Sequence, residues 1–307
     1  MIGREDIEQA AAILRAGGLV VFPTETVYGL GADAANAQAV ARLYAAKGRP
    51  HFNPLIAHVA DLAEAERHGV LHPIARELAD AFWPGPLTLV VKRRESSTIA
   101  ELACAGLATV ALRAPSHPAA QALLGAFGGP IVAPSANVSG RVSATKAEHI
   151  AADLRPLVDL VLDDGPSPIG LESTIVAVDE LGRARLLRPG AITRESVEAI
   201  TGPLLISGPS IEAPGMMASH YAPNARLRLD ADAPRAGEAY LAFGAAAPPG
   251  GLTLSASGDL TEAAANLYAH LRALDARGAA AIAVAPIPHQ GLGEAINDRL
   301  QRAAAPR

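Results

Sequence analysis

The hydrophobic pattern of residues 1–200 alternates between two periods. Apolar positions spaced three to four residues apart, as in 7–16 and 118–127, predict amphipathic helices. Short apolar runs bounded by Gly or Pro, as in 19–22, predict buried strands. Further helices are predicted over 37–46, 72–83 and 196–200, and further strands over 54–59, 87–92, 109–113, 131–133, 158–162, 174–178 and 184–187. This alternation predicts an α/β domain.

Residues 201–225 show neither period and are rich in Gly and Pro, a composition typical of linkers. The alternation then resumes, with strands predicted around 227–229, 240–243 and 282–285 and a terminal helix around 296–300. Thr261 is predicted to cap a helix that has Leu267 and Leu271 on its apolar face. We therefore expect domains over 1–200 and 226–307, joined by the linker.

Composition narrows the class of protein. The longest uncharged apolar run is shorter than the ~18 residues that a membrane span requires, and the charged N-terminus does not resemble a signal peptide. The single cysteine, Cys104, excludes an intramolecular disulfide and a cysteine-rich zinc site. A net charge of −5 predicts no overall attraction to nucleic acid. A cytoplasmic protein is expected.

The usual nucleotide-binding motifs do not fit. The segment from Gly29 to Ala34 matches G-x-G-x-x-A, but it does not directly follow the first strand, and no acidic residue stands about 20 positions later. The chain also has no G-x-x-x-x-G-K-[ST] motif. A dinucleotide fold and a P-loop are therefore not expected.

Two clusters of polar residues follow predicted strands. The first, PTETVYGLG at 23–31, contains Thr24, Glu25 and Thr26 in a turn, where they either bind a polar ligand or cap the turn itself. The second, APSANVSG at 133–140, contains Ser135 and Asn137. It is either an ordinary Asx or Ser turn or a loop whose hydroxyl and backbone N–H groups hold phosphate oxygens.

A cationic cluster stands between them in the chain. Lys47 and Arg49 follow a predicted helix, and prolines on both sides of the 51–53 segment suggest a fixed loop that includes Asn53. The cations either stabilise the helix C-terminus or bind a polyphosphate. Arg113 ends an apolar strand, where an unpaired guanidinium is costly, so a carboxylate partner from the protein or from a substrate is expected.

Together these segments resemble the threonylcarbamoyl-AMP synthase family, whose catalytic domain has the YrdC-like fold. The matching motifs are, in chain order, PTETVYGLG, KGRP, FNPL, WPGPLTL, ALRAP, APSANVSG, ESTIV and LRPGAI, and they cover roughly residues 15–195. The SHYAP segment at 219–223 resembles the linker of the two-domain form. The resemblance implies a twisted mixed sheet flanked by helices, plus a smaller C-terminal Rossmann-like α/β domain.

The resemblance also implies roles for individual residues. The threonine site would contain Thr26, His58, Arg113, Ala133 and Ser173. The ATP site would contain Lys47, Arg49, Asn53, Thr109, Ser135, Asn137, Ser143, Arg188 and Tyr221, and the residues with the central catalytic role would be Lys47, Arg49, Ser135 and Asn137. No protein-held metal is implied, but Mg²⁺ would accompany ATP.

The implied reaction makes threonylcarbamoyl-AMP and pyrophosphate from L-threonine, bicarbonate and ATP, as the first step of a tRNA modification. A tRNA threonylcarbamoyltransferase would receive the product. An alternative is an RNA-binding module without ATP turnover, with weak RNA binding as a milder form of the same expectation. A third possibility, carbamoyl transfer in metallocentre maturation, is disfavoured because such proteins carry cysteine-rich modules that this chain lacks.

Overall fold

The computed structural model describes residues 2–150, 154–206, 208 and 211–306. Positions 207, 209 and 210 of the predicted linker therefore lie outside the described residues. The described chain forms a large mixed sheet with helices and a smaller parallel sheet with two helices. This confirms the predicted fold class. The predicted domain boundaries stay predictions.

The helices agree closely with the apolar periodicity. In chain order they are α1 (Arg4–Arg15), α2 (Ala37–Lys47), α3 (Leu62–His68), α4 (Pro73–Phe82), α5 (Pro118–Phe127), α6 (Arg194–Thr201), α7 (Leu260–Ala276) and α8 (Leu292–Ala304). Local signals fix their ends. Asn36 caps α2 by accepting from two backbone N–H groups, and Gly48 ends it at a positive φ of 58°.

The strands make up two sheets. In chain order they are β1 (Val20–Phe22), β2 (Gly29–Asp33), β3 (Ile56–His58), β4 (Gly69–Val70), β5 (Leu87–Arg93), β6 (Thr109–Arg113), β7 (Ile131–Val132), β8 (Leu160–Val161), β9 (Thr174–Val178), β10 (Ala184–Arg188), β11 (Arg226–Arg228), β12 (Glu238–Ala242), β13 (Leu252–Thr253) and β14 (Ala281–Val284). The first ten belong to the large sheet.

The order of the large sheet brings distant segments together. It runs β10-β9-β5-β6-β3-β7-β2-β1-β8, and β4 pairs with β5 outside this path. β3 and β6 are parallel neighbours with His58 opposite Arg113, while β7 pairs antiparallel with β3. Because β7 runs antiparallel to β3, the residues that follow β7 lie beside the start of β3, where the Ala133 N–H donates to the Ile56 carbonyl. The short β3 thus lies between Arg113 of β6 and the loop that follows β7.

The small sheet is parallel throughout, in the order β11-β14-β12-β13. α7 and α8 supply buried Leu and Ile side chains to its core. That core also takes in Val27, Val142 and Leu171 from the first 200 residues and Tyr221 from the linker. The two parts of the chain are thus joined by one continuous apolar cluster.

Three details of the sequence-based prediction were wrong. Residues 29–33 form β2 rather than a turn, because Gly29 and Gly31 allow the strand to pack closely against Phe22. The helix α3 was missed. Asp259, not Thr261, caps α7: its carboxylate accepts from two backbone N–H groups, and Thr261 lies inside the first turn. No helix in the described ranges has the length and apolar character to span a bilayer.

Candidate active site

A small cavity of about 40 Å³ lies against β3 and the end of β6, beside the loop that follows β7. Loops next to the large sheet form most of its walls, and the linker covers one side with Pro214, Gly215, His220 and Tyr221. The other lining residues are Thr26, Val27, Arg49, Ile56, His58, Arg113, Ala133, Pro134, Ser135, Glu172, Ser173 and Arg188. Four polar segments that are distant in sequence therefore converge on one cavity.

Arg113 forms a buried ion pair at one end of the cavity. Its Nη2 donates to Glu25 Oε1 at 2.6 Å, and its Nε donates to the carbonyl of Gly85 at 3.3 Å. Glu25 is thus the carboxylate partner that we expected for Arg113. Among the described residues, Nη1 has no hydrogen-bond partner, so the guanidinium retains a donor for a second carboxylate.

His58 stands beside Arg113 and is 2% exposed. Burial, followed by the charge of Arg113, lowers the pKa of His58 to about 3. Its imidazole is therefore neutral near pH 7. The Nδ1 atom is buried and has no hydrogen-bond partner among the described residues. A neutral ring with one unsatisfied nitrogen is suited to a hydrogen bond with a polar ligand.

Hydroxyl groups complete this end of the cavity. Thr26 Oγ1 lies 2.8 Å from Thr24 Oγ1, and Ser173 Oγ lies 2.7 Å from Thr88 Oγ1. Ala133, directly after β7, supplies a small apolar surface. The combination of a cation, a neutral imidazole, hydroxyls and one small apolar contact matches the functional groups of a small hydroxy amino acid.

Arg49 and Arg188 bring two further guanidinium groups to the cavity. Arg49 donates to Asn53 Oδ1 and to the Pro54 carbonyl, both at 2.7 Å. Arg188 donates to the carbonyl of Ser173 at 2.9 Å and to its Oγ at 3.1 Å. Burial lowers the pKa of both groups, that of Arg49 to about 10. Neither has a carboxylate hydrogen-bond partner among the described residues, although the charge of Glu172 acts on Arg188 from nearby. Both guanidinium groups can therefore attract an anion to the cavity, Arg49 with the less compensated charge.

Lys47 lies behind the cavity wall, 1% exposed. Its Nζ donates to the backbone carbonyls of Ser135, at 2.5 Å, and of Asn137. Burial and then the charge of Arg49 lower its pKa well below the ordinary value. The amine therefore anchors the loop after β7, and this loop in turn places Ser135 at the cavity.

A buried network connects the cavity to the C-terminal part of the chain. Glu172 accepts from Ser143 Oγ at 2.6 Å, from Tyr268 Oη at 2.8 Å and from Arg299 Nε at 2.8 Å. Burial alone would raise the pKa of Glu172, but the charges of Arg299 and Arg188 outweigh it and hold that pKa at about 2. Glu172 is therefore ionised and fixed by residues of α7 and α8.

The linker places two aromatic residues over the cavity. His220 is buried with an unpartnered Nδ1, and burial lowers its pKa to about 3. Tyr221 adopts a positive φ of 62°, stacks on Tyr268 at 5.8 Å, and lies beneath the Arg299 guanidinium at 5.0 Å. Gly215 is required here, since a Cβ at that position would lie 2.6 Å from Tyr221 Oη.

Comparisons with known proteins decide the family. Residues 12–190 match the family described as telomere recombination, and residues 192–305 match the C-terminal domain of threonylcarbamoyl-AMP synthase. Threonylcarbamoyl-AMP synthase from Bacillus subtilis is 41% identical over 98% of this chain and 93% of its own length. The chain belongs to the threonylcarbamoyl-AMP synthase family.

Relatives in this family extend over nearly the whole chain. The Pyrococcus abyssi enzyme is 39% identical over 99% of this chain and 97% of its own length. The crystal structure of P. abyssi Sua5 complexed with L-threonine superposes with a TM-score of 0.90 at 36% identity, covering 99% of this chain and 95% of that one. Both parts of the fold are thus shared with the two-domain members of the family.

The residues predicted from the family motifs largely converge. Those that line the cavity are Thr26, Arg49, His58, Arg113, Ala133, Ser135, Ser173, Arg188 and Tyr221. Lys47, Asn53, Asn137 and Ser143 do not line it, but each is close by, hydrogen-bonded to a lining residue or, for Asn137, to the Lys47 amine. Thr109 lies at the opposite end of β6 from Arg113, beside Lys92. Its role in ATP binding, like the roles assigned to the other residues, stays a prediction.

Several residues of the site were not identified from the sequence. Glu172 and His220 belong to motifs that carry the resemblance, but no role was assigned to them. Glu25 was expected to bind a polar ligand or to cap the turn, and was not identified as the partner of Arg113. Arg299 lies outside every motif, and its pairing with Glu172 across the chain has no signal in local spacing. Among the described residues no group of three or more His, Cys, Asp or Glu side chains forms a metal site.

Proposed function

We propose that this chain is an L-threonylcarbamoyladenylate synthase, a nucleotidyltransferase that uses L-threonine, bicarbonate and ATP. The carrying observation is the pair of buried guanidinium groups, Arg49 and Arg188, that face one cavity without carboxylate hydrogen-bond partners. Buried positive charge without a directly bonded counter-ion is costly, and a bound polyanion compensates it. The charge of Glu172 offsets part of that of Arg188 but has no such effect on Arg49. The ATP phosphates are such a polyanion.

Threonine would occupy the end of the cavity near β3 and β6. The Nη1 group of Arg113 would bind its carboxylate, with Glu25 fixing the orientation of the guanidinium. The neutral His58 would contact the amino or hydroxyl group. Ala133 would face the side-chain methyl, and because one methyl contributes only about 1–3 kcal/mol, discrimination against serine should be limited.

The reaction would proceed in two steps. The threonine amine attacks CO₂ derived from bicarbonate, with loss of water, and gives a carbamate. A carbamate oxygen then attacks the α-phosphorus of ATP, and the bond to the β-phosphate oxygen breaks to release pyrophosphate. Both reactants are anions, so charge neutralisation and alignment supply most of the catalysis. Arg49 and Arg188 would provide it, and Mg²⁺ would enter bound to the ATP phosphates.

The linker would act as a lid. A cavity of about 40 Å³ is far below the roughly 300 Å³ of ordinary ligand pockets. The segment carrying Gly215 and Tyr221 must therefore withdraw before ATP enters. Its return would exclude water from the mixed anhydride formed in the reaction.

The test is pyrophosphate release from ATP, measured with and without L-threonine and bicarbonate, with the nucleotide product trapped rapidly. Release that requires both co-substrates is the expected result. Release with neither, or no release in the presence of magnesium, would refute the proposal. Salt-sensitive RNA binding without turnover would instead indicate the RNA-binding alternative. The product's delivery to a tRNA threonylcarbamoyltransferase is part of the same proposal.

A further inference from the structure

A second and larger cleft lies between the first part of the chain and α7. Its volume is about 940 Å³, and it shares no lining residue with the active-site cavity. One wall consists of Thr145, Lys146, Glu148, His149, Pro166, Ser167 and Pro168, and the other of Ala265, Asn266, Ala269, His270, Arg272, Ala273 and Ala276. Next to it, Gly170 packs on the α7 backbone, where a Cβ would come within 2.6 Å of the Ala264 carbonyl. The cleft is thus built by tight contact between the two parts.

The cleft is cationic. Lys146 and Arg272 line it, and Glu148 is the one carboxylate among its described lining residues. Asp275 lies outside this lining, but its negative charge acts on Arg272. The Lys146–Glu148 pair is long, at 3.5 Å, and its side chains are 43% and 72% exposed, so the glutamate neutralises the lysine weakly. Both histidines are neutral near pH 7. Burial and then Arg272 lower the pKa of His149 to about 4, with Lys146 adding to this and Glu148 opposing it.

His270 faces a similar set of charges from its own helix and from the opposite wall. Burial lowers its pKa, followed by the charge of Arg277; Glu262 opposes this, and Lys146 lowers it further. The deeper part of the cleft therefore combines permanent positive charge with two uncharged imidazoles. That environment favours a ligand with negative charge and hydrogen-bonding capacity.

Hydrogen-bonding groups in the cleft are left unused. Ser167 is 4% exposed, and its Oγ is buried without a partner among the described residues. The Nδ1 atom of His270 is also buried without a partner among these residues. Arg272 uses Nε and Nη2 on the carbonyls of Ser143 and Val142, and its Nη1 has no partner within the described ranges. A hydroxyl, an imidazole and a guanidinium donor together are the groups that bind phosphoryl oxygens.

We propose that this cleft binds a phosphorylated small molecule of up to mononucleotide size, with Lys146, Ser167 and Arg272 holding its phosphoryl group. The volume lies within the roughly 300–1,000 Å³ typical of small-ligand pockets. Two kinds of ligand carry such a phosphoryl group: a nucleotide and inorganic phosphate.

Such a ligand would be placed to influence the active site. Arg272 holds the backbone of Ser143, and the Ser143 hydroxyl donates to Glu172, which lines the active-site cavity. A phosphoryl group that binds the Arg272 guanidinium would alter its hydrogen bond to the Ser143 carbonyl and, through Ser143, the contact with Glu172. The effect on turnover rests on the proposed function, whereas binding to the cleft does not.

The experiment is a titration of the full-length protein with inorganic phosphate and, separately, with AMP, followed by NMR of the histidine imidazoles. Signals are assigned with His149→Gln and His270→Gln. We expect both signals to shift and the pKa of His149 to rise, because a bound anion stabilises the imidazolium. AMP binding tighter than phosphate by about tenfold identifies a nucleotide, and equal affinity identifies the phosphoryl group alone.

Two variants test the residues. Lys146→Gln should weaken binding about tenfold, and Ser167→Ala about threefold or more, since its Oγ has no other partner to lose. Lys92→Gln is the matched control, because Lys92 also pairs with an exposed glutamate, Glu180, but lies outside the cleft. It should leave the affinity unchanged.

Three results would overturn the proposal. The first is movement of the His58 and His220 signals alone, which places the anion in the active site. The second is no shift of His149 or His270 at about 10 mM ligand, a concentration that fills most of a site with a Kd of roughly 1 mM. The third is a shift caused by a short RNA duplex but not by phosphate or AMP. Because binding is measured without turnover, failure here is distinguishable from failure of the proposed reaction.

Discussion

The ion pair between Glu172 and Arg299 offers the sharpest test of the energetics. Both side chains are buried, at 7% and 0% exposure, and their N–O distance is 2.8 Å. Arg299→Met keeps much of the side-chain volume but leaves Glu172 ionised in the interior without its nearest cation. Breaking a buried pair in this way costs about 3–5 kcal/mol of unfolding free energy.

The pKa of Glu172 gives a second magnitude, to which Arg299, Arg188 and the Ser143 hydroxyl all contribute. It lies at about 2 instead of the ordinary 4.5, which corresponds to about 3 kcal/mol at roughly 1.4 kcal/mol per unit. Because the folded-state pKa is depressed, this stabilisation is present above pH 4.5 and is lost as the pH falls toward 2. Arg299→Met should therefore flatten the stability profile in that window.

The assay is denaturant unfolding, followed by circular dichroism and by the fluorescence of Trp83. Arg76→Met is the control, since Arg76 pairs with Glu66 at the surface with side chains 49% and 33% exposed, and such pairs contribute about 0–1 kcal/mol. The double variant Glu172→Gln/Arg299→Met should recover part of the loss. A single variant no less stable than Arg76→Met would refute the reasoning.

Three further variants test the active site. Gly215→Ala should lower the KM for ATP, because its Cβ would collide with Tyr221 at a φ of 84° and so increase the fraction of molecules with the linker withdrawn. Glu25→Gln should raise the KM for threonine about tenfold with little change in that for ATP, since Arg113 loses its counter-ion. Lys47→Ala should lower kcat at least about tenfold, because two buried carbonyls lose their donor. Steady-state pyrophosphate release measures all three.

Each of these variants has a contradicting outcome. Equal changes in both KM values for Glu25→Gln would mean that the residue stabilises the fold and does not orient Arg113. Gly128→Ala, at a similar φ of 78° but with open space around its Cβ, separates backbone strain from collision for Gly215→Ala. Lys92→Ala controls for Lys47→Ala, and normal turnover in Lys47→Ala would refute its anchoring role.

Helices and strands could be predicted where one hydrophobic period, helical or strand-like, dominated a segment. The bounds of β6, α5 and β9 follow directly from their apolar runs and flanking Pro or Gly residues. No strand was predicted over 29–33 because the polar 23–31 segment indicated a turn, and the close packing that requires Gly29 and Gly31 depends on Phe22 and Ile131 from other strands. Thr261 is the predicted cap of α7, but Asp259 is an equally good capping residue two positions earlier, and only the backbone geometry shows that it begins the helix.

The residues of the site could be predicted from the family motifs, but their contacts with one another could not. Strand order, which local sequence does not specify, places His58 beside Arg113 and lets Lys47 reach the loop after β7. The pairing of Glu172 with Arg299 joins residues 127 positions apart, and no spacing rule identifies such partners. The expected carboxylate partner of Arg113 was inferred from the cost of burying a charge, but its identity required the fold.

The position of the linker has a consequence for substrate affinity. Tyr221 and Gly215 occupy space that ATP needs, and they are tethered to the same chain, so they compete with the substrate at a fixed effective concentration that dilution cannot lower. Measured affinities for ATP then report the intrinsic affinity multiplied by the fraction of molecules with the linker withdrawn. Changes in the linker that never touch a substrate can thus tune how much ATP this chain requires.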